Sequence, residues 1–163
     1  MIRHAGLIAR RQAGLWRGVL IEGVSGCGKS DLMLRALDAG WSLVADDRVM
    51  LWTSGGRLFG RAPPALAGLM EIRGLGVTPV AALSFAEIAL CALCVQTAQV
   101  ERAPESEANM LFGLAIPLIR VVALEASGPA KLAHALTHVG LPAQPSYQAR
   151  GAGKDQPDAG GVP

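Results

Sequence analysis

The alternation of apolar and polar residues divides this chain into short strands and two helices. The apolar run 19–21 predicts a strand, and residues 31–39 carry apolar side chains at helical spacing before Gly40. A second helix is predicted from Pro129 to Val139, and Gly140 ends it. The two predicted helices leave most of the intervening chain to strands and turns.

Predicted strands outnumber predicted helices. Residues 1–22 resemble a hairpin with its turn region at 10–14, whereas the polar segment 101–108 is typical of a loop. The other predicted strands are 41–45, 49–52, 57–59, 80–83, 88–95 and 118–124. This order of elements predicts an α/β fold with a mixed sheet and flanking helices, in which strand pairing after residue 47 is mostly antiparallel.

The length and the final residues indicate a single domain followed by a tail. A chain of 163 residues suits one domain with a sizeable core. From Pro142 onward the sequence is rich in Pro, Gly, Ala and polar residues without periodicity. We therefore expect a domain over residues 1–142 and a disordered tail over residues 143–163.

Charge and hydropathy exclude several classes of protein. The net charge is only +2 and no dense basic patch is present, which argues against nucleic-acid binding. The most apolar stretch, 77–95, contains Pro79 and Glu87, so a membrane span is not expected. The first residues lack the apolar core of a signal peptide, and we expect a cytoplasmic protein.

The three cysteines are expected to be reduced thiols. Cys91 and Cys94 form a C-x-x-C pair inside an apolar run, without the second pair or nearby His that a zinc site needs. Two buried structural thiols are the simpler interpretation, and a redox pair is the alternative. Cys27 is expected to fill space within a glycine-rich loop, where it could also be sensitive to oxidation.

That glycine-rich loop carries the clearest chemistry in the sequence. It fits the pattern G-x-x-x-x-G-K-[ST] and consists of Gly23, Val24, Ser25, Gly26, Cys27, Gly28, Lys29 and Ser30. A predicted strand precedes it and a predicted helix follows, so its backbone N–H groups and the helix N-terminus point at one place. We expect this loop to bind a polyphosphate, with Lys29 reaching the β and γ phosphates and the Ser30 hydroxyl facing Mg²⁺.

Two acidic segments follow the loop. The predicted strand 41–45 ends in Asp46 and Asp47, and two adjacent carboxylates can divide the work of approaching a hydrated metal and accepting a proton. Further on, Glu71 and Arg73 are predicted to share one side of a strand. That pair suits either a second metal contact beside a cation that stabilises a transferring phosphoryl group, or a cross-strand salt bridge.

In this order the motifs resemble the catalytic domain of HPr kinase/phosphorylase, the bacterial enzyme that phosphorylates a serine of the phosphocarrier protein HPr. The motifs are the phosphate loop, Leu-Val-Ala-Asp-Asp-Arg-Val at 43–49, Gly-Arg-Ala-Pro at 60–63 and Glu-Ile-Arg-Gly-Leu-Gly at 71–76. The resemblance implies a P-loop kinase domain related in fold to phosphoenolpyruvate carboxykinase. It also implies that Asp47 activates the substrate serine, that Ser30 and Glu71 contact Mg²⁺, and that residues 23–30 hold the nucleotide phosphates. With Asp47 as the base, Asp46 is the carboxylate left for the metal, and we assign it there.

Two further residues are assigned by the same resemblance. His4 corresponds to a family histidine before the strand that leads into the loop, and Arg102 to an arginine of a Glu-Arg-Leu-type segment. The long form also has a Pro-Gly-Arg-Asn stretch linked to dephosphorylation, where this chain has residues 124–132. The chain thus resembles the short, single-domain proteobacterial form, and the hexamers of long-form relatives imply a homo-oligomer.

The resemblance and the residues together predict an ATP- and Mg²⁺-dependent protein-serine kinase that acts on an HPr-like phosphocarrier, and they leave reverse phosphorolysis open. Lys29 and Arg73 would stabilise the transferring phosphoryl group. Two alternatives stay open at this point. One is a kinase of a small metabolite, and the other is a nucleotide-binding regulatory module without catalysis.

Overall fold

The computed structural model describes residues 1–143, so the tail predicted for residues 143–163 lies outside the described residues except for its first position. Two helices and eleven strands are found in this range. In chain order they are β1 (Ile2–His4), β2 (Gly6–Gln12), β3 (Leu15–Glu22), α1 (Lys29–Asp38), β4 (Ser42–Ala45), β5 (Arg48–Ser54), β6 (Arg57–Arg61), β7 (Leu69–Ile72), β8 (Gly76–Pro79), β9 (Ala86–Cys94), β10 (Glu107–Leu111), β11 (Leu114–Val121) and α2 (Gly128–His138).

Nine of the strands form one mixed sheet, and β7 and β8 form a separate hairpin. The path along the large sheet is β1-β5-β6-β9-β3-β2-β4, and β10 joins it through β11. Strand β9 runs parallel to β3 on one side, while its other side pairs first with β6 and then, in parallel, with β11. The predicted mixed sheet with mostly antiparallel pairing after residue 47 is confirmed.

Alternating side chains on the central strands build two hydrophobic cores on opposite faces. On β2, Ile8 faces a core shared with both helices, whereas Leu7 and Ala9 face a core formed by strands and loops. We call the first the helix core; its members include Val19, Ile21, Leu32, Met33, Trp41, Leu90, Cys94, Leu132 and Leu136. We call the second the strand core; its members include Leu20, Val49, Leu51, Leu58, Ile88, Cys91, Leu111 and Ile116.

Helix α1 lies close to the sheet because its apolar side meets a glycine. Its residues Leu32, Met33 and Ala36 are buried. A Cβ on Gly6 would lie 2.2 Å from the Met33 sulfur, so a larger residue at this position would force the Met33 side chain to move. Helices α1 and α2 have 10 and 11 residues, and no helix within residues 1–143 is long and apolar enough to cross a membrane.

Most predicted elements are confirmed, and three predictions are wrong. Residues 80–83 form no strand; Ala82 makes one isolated bridge to Leu43, and the strand in this region is β8. The strand predicted at 118–124 begins at Leu114 and ends at Val121, and the last two residues of the predicted loop 101–108 belong to β10. The turn at 112–113 joins β10 and β11 into a hairpin. Strand β10 is mostly exposed, and its pairing with β11 holds it in the sheet.

Candidate active site

The glycine-rich loop connects β3 to α1, as the sequence predicts. Residues 24–26 are exposed, so the crest of the loop faces solvent. Gly28 precedes the helix with a φ of 98°, and a Cβ there would lie 2.8 Å from the Leu124 side chain. Both the left-handed backbone and the close neighbour require glycine at this position. The loop therefore presents its backbone and the N-terminus of α1 to the outside, which is the arrangement that binds phosphate groups.

Lys29 lies beneath this loop. Its side chain is buried, and Nζ donates hydrogen bonds to the carbonyl oxygens of Gly23 at 2.9 Å and Val24 at 3.1 Å. A buried ammonium group needs such partners because desolvation would otherwise be costly. The positive charge is thus held within the loop itself, next to the place where phosphate oxygens would lie.

Asp46 connects the loop helix to two other elements. Its carboxylate is buried at the end of β4; Oδ1 accepts a hydrogen bond from Ser30 Oγ at 3.2 Å, and Oδ2 accepts one from the backbone N–H of Glu71 at 2.9 Å. Because the Ser30 hydroxyl donates its hydrogen to Asp46, its oxygen lone pairs stay available to a cation. This contact joins Ser30, Asp46 and β7 into one unit.

Asp47 has a different environment, although it is the next residue. Its φ is 64°, and the N–H of Arg48 donates to the carbonyl of Asp46 at 2.7 Å, so Asp47 is the central residue of a tight three-residue turn. The turn exposes the carboxylate, where Oδ1 lies 3.0 Å from His4 Nδ1 and Oδ2 lies 3.8 Å from Arg48 Nε. The structure therefore separates a buried, fully bonded carboxylate from an exposed one that faces a histidine.

Glu71 and Arg73 do not lie on the same strand. Glu71 belongs to β7, but Arg73 lies in the turn that leads to β8, so the prediction of one shared strand is wrong. Both residues are exposed. Within residues 1–143 neither side chain forms an ion pair, so the cross-strand salt bridge loses its support. Only the backbone of Glu71 is tied to the site, through Asp46.

Arg102 lies in the segment between β9 and β10. It is exposed and lines a groove of about 970 Å³ together with residues of β11 and α2, among them Arg120 and Lys131. Within the described part of the chain no hydrogen bond or ion pair connects Arg102 to the phosphate loop or to Asp47. Its role stays a prediction from the resemblance alone.

The donors around Ser30 suit a magnesium ion. No group of three or more His, Cys, Asp or Glu side chains within residues 1–143 is arranged as a metal site. Mg²⁺ does not require one, because it keeps several waters and binds one or two protein oxygens together with substrate phosphates. The Ser30 hydroxyl and the carboxylates of Asp46 and Glu71 are hard oxygen donors of the kind that this ion prefers.

The three cysteines do not form the pair that their spacing suggests. Cys91 faces the strand core and Cys94 the helix core, so the two thiols point to opposite faces of β9. Burial raises the pKa of each to about 12, which keeps both as thiols. Both thiols are free and buried, as the simpler interpretation expects, and a redox pair between Cys91 and Cys94 is excluded by their positions.

Two contacts near the site were not predicted from the sequence. Arg48 flanks Asp47, and its place in the Asp-Asp-Arg-Val motif was the available signal. Glu22, the last residue of β3, accepts a hydrogen bond from Asn109 at 3.0 Å and lies 3.7 Å from Arg3. No sequence pattern indicated that contact, since it depends on β10 lying near the end of β3.

Comparisons with known proteins agree with this geometry. Residues 14–117 match the family described as the HPr Serine kinase C-terminal domain. Residues of the chain are 44% identical to the HPr kinase/phosphorylase of Clostridium beijerinckii over 66 residues, which are 40% of this chain and 22% of the relative. The corresponding protein of Lacticaseibacillus casei is 48% identical over 64 residues, covering 39% of this chain and 20% of the relative.

The fold also has a counterpart among solved structures. The HPr(Ser) kinase/phosphatase of Coxiella burnetii superposes with a TM-score of 0.74 at 22% identity, covering 93% of both chains. The sequence matches, in contrast, span about a fifth of the length of the curated relatives. Because the family match extends over more than half of its residues, this chain belongs to the HPr serine kinase C-terminal domain family.

Proposed function

We propose that this domain is an ATP- and Mg²⁺-dependent protein-serine kinase that phosphorylates an HPr-like phosphocarrier. The observation that carries the proposal is the junction of Ser30, Asp46 and Asp47. There the 3.2 Å hydrogen bond between Ser30 and Asp46 joins the phosphate loop to the end of β4. The exposed carboxylate of Asp47, the next residue, is thereby placed near the loop. The relatives named HPr kinase/phosphorylase support the choice of substrate.

The phosphate loop would hold the nucleotide. The backbone N–H groups of residues 23–30 and the N-terminus of α1 attract the phosphates, and Lys29 exchanges its bonds to Gly23 and Val24 for phosphate oxygens. The exchange costs little, because one set of charge-assisted hydrogen bonds replaces another. Lys29 and the exposed Arg73 would then stabilise charge on the transferring phosphoryl group.

Mg²⁺ would neutralise charge on the phosphates of the nucleotide when bound. Ser30 would supply an oxygen ligand, since its hydrogen is directed to Asp46. Asp46, which accepts the hydrogen bond of this hydroxyl, would attract the cation, and the Glu71 carboxylate would be the second acidic group to hold it. This assignment uses Asp46 as a support for the metal and leaves Asp47 for proton transfer.

Asp47 would accept the proton of the substrate serine while the serine oxygen attacks the γ-phosphorus. Its exposed carboxylate is open to a protein substrate, and His4 holds one of its oxygens in place. A base on the surface suits a folded protein substrate better than a small metabolite, which would need a closed pocket around it. In the reverse direction the same carboxylate would return the proton.

The test is transfer of labelled phosphate from Mg-ATP to a purified HPr-like carrier, with the label located by peptide mapping. Asp47→Asn is expected to lower the rate at least about a hundredfold while nucleotide affinity changes little. Asn tolerates positive φ, so the turn is retained. Asp38→Asn is the matched control, because Asp38 is an exposed carboxylate at the end of α1.

Three results would contradict the proposal. Full transfer by Asp47→Asn would remove Asp47 from the role of base. Label on a small metabolite and none on the carrier would favour a metabolite kinase. Binding of Mg-ATP without transfer to any serine-bearing carrier would favour a regulatory module. Addition of inorganic phosphate to the phosphorylated carrier tests the reverse reaction separately.

A further inference from the structure

Cys27 of the phosphate loop and Cys94 at the end of β9 lie beside the same glycine. A Cβ on Gly23 would be 2.8 Å from Cys27 Sγ and 2.9 Å from Cys94 Cβ, so both cysteines contact the space that the missing side chain leaves. Cys27 also packs against the helix core, which contains Cys94. The sequence suggested a pair of Cys91 and Cys94, but the fold brings Cys27 to Cys94.

The two thiols have complementary surroundings. Cys27 is partly exposed in the loop, whereas Cys94 is 5% exposed. The ammonium of Lys29 lies 4.0 Å from Cys27 Sγ and places positive charge beside that sulfur. Burial, and after it the interaction with Cys27, raises the pKa of Cys94 to about 12, so this residue remains a protonated thiol. An accessible thiol beside a cation and a buried thiol behind it are arranged as an attacking and a resolving cysteine.

We propose that a hydroperoxide oxidises Cys27 and Cys94 to a reversible disulfide that closes the phosphate loop. Cys27 sulfur attacks the terminal oxygen of the hydroperoxide; an S–O bond forms, the O–O bond breaks, and the leaving oxygen takes the thiol proton. Cys94 sulfur then attacks Cys27 sulfur, the S–S bond forms, and the hydroxyl leaves as water with the Cys94 proton. The two thiols lose two electrons and the hydroperoxide gains them.

The disulfide would act on nucleotide binding through the loop backbone. Cys27 N–H donates to the carbonyl of Val24 at 3.2 Å, and the Lys29 ammonium binds the carbonyls of Gly23 and Val24. A covalent bond from Cys27 to β9 fixes this compact form, so the loop cannot rearrange around phosphate groups. This consequence rests on the proposed nucleotide site, whereas formation of the bond does not.

The chemical step is tested by treating the whole chain with hydrogen peroxide and mapping its peptides by mass spectrometry without reduction. The expected product is a Cys27–Cys94 linked peptide that disappears with dithiothreitol. Cys91→Ala is the matched control and should still form the link, because Cys91 lies on the opposite face of β9. Cys94→Ala should not form it. A link to Cys91, a link between two chains, or oxidised Cys27 without any link would overturn the proposal.

The effect on the loop is tested by titrating a fluorescent ATP analogue with Mg²⁺. Oxidised protein is expected to bind at least about tenfold more weakly than reduced protein and to recover with dithiothreitol, while Cys94→Ala keeps its affinity after the same treatment. Equal binding by oxidised and reduced protein would refute loop closure. Absence of binding by the reduced protein would instead refute the nucleotide site and, with it, the effect of loop closure. Formation of the disulfide would still be decided by mass spectrometry.

Discussion

At the scale of single residues, the tight turn centred on Asp47 creates the candidate site by pointing two adjacent carboxylates in different directions. Asp46 points inward from β4, and both of its carboxylate oxygens accept hydrogen bonds, which offsets the cost of burial. Asp47 occupies a left-handed backbone conformation that most residues avoid, with a φ of 64°. The strain of this turn directs the second carboxylate to solvent and to His4.

The backbone strain at Asp47 can be measured without any assay of activity. Asp47→Gly is expected to have a free energy of unfolding about 1 kcal/mol higher than that of Asp47→Ala, because alanine pays the steric cost of positive φ and glycine does not. Urea denaturation of the two variants under the same conditions gives the difference. The comparison cancels the loss of the carboxylate, which both variants share. Equal stabilities would show that the turn does not require positive φ.

The residues that could be predicted are those whose chemistry depends on local order along the chain. Lys29 and Ser30 follow from the loop motif, and Asp46 follows from its place at the end of a strand. The placement of Arg73 was wrong because Arg73 and Gly74 are the central residues of a turn closed by the Leu75 N–H and the Ile72 carbonyl. Gly74 has a φ of 91°, and β7 ends at Ile72. The hydrogen bonds of Lys29 to its own loop could not be predicted. The motif describes the loop with phosphate bound and carries no information about the rotamer of Lys29 without a ligand.

At the scale of secondary structure elements, Arg35 joins α1 to the connection between β11 and α2. Its guanidinium group donates to the carbonyl of Glu125 at 2.9 Å, to the carbonyl of Ala123, and to the carboxylate of Asp31. Two of these three acceptors are backbone groups that lie past the end of β11. Arg35 thus holds the segment that packs Leu124 against Gly28 of the phosphate loop.

Removal of this link is expected to destabilise the domain more than removal of a surface ion pair. Arg35→Met should lower the free energy of unfolding by about 2–3 kcal/mol, because it leaves backbone carbonyls without a charged donor. Asp31→Asn is the control; it removes only the exposed pair one turn away on α1 and should cost about 0.5 kcal/mol at most. Thermal or urea unfolding checks both values. Similar losses in the two variants would mean that the ion pair, and not the carbonyl contacts, supplies the stabilisation.

The elements that escaped prediction are those stabilised by pairing more than by their own pattern. Strand β10 is exposed along most of its length, yet it pairs with β11 over five residues. Residues 80–83 are apolar, but Val80 only donates a hydrogen bond to the Gly68 carbonyl at the end of the β7–β8 hairpin, and no strand continues beyond it. Hydrophobic pattern therefore located the central strands and both helices, while the edges of the sheet depend on contacts between distant residues.

At the scale of the whole molecule, the two cores share their central strands. Strands β2 and β3 place alternate residues in the helix core and the strand core. Strand β9 has a β-bulge at Ala89, because Gly18 pairs with Ile88 and Val19 with Leu90. The extra residue moves each later side chain of β9 to the other face of the sheet. Because the same backbone supports both cores, loss of one core should remove the support of the other.

The shared strands predict a single cooperative unfolding transition. Leu58 lies in the strand core and Trp41 in the helix core, so Trp41 fluorescence can report a change made in the opposite layer. In a chain carrying Trp16→Phe and Trp52→Phe, Leu58→Ala is expected to lower the free energy of unfolding by about 2–5 kcal/mol, with the same urea midpoint from Trp41 fluorescence and from circular dichroism. Leu75→Ala is the control, because Leu75 is 74% exposed and should leave both midpoints unchanged. If Leu58→Ala moved the dichroism midpoint but not the Trp41 midpoint, the cores would unfold independently, and the coupling through the central strands would be refuted.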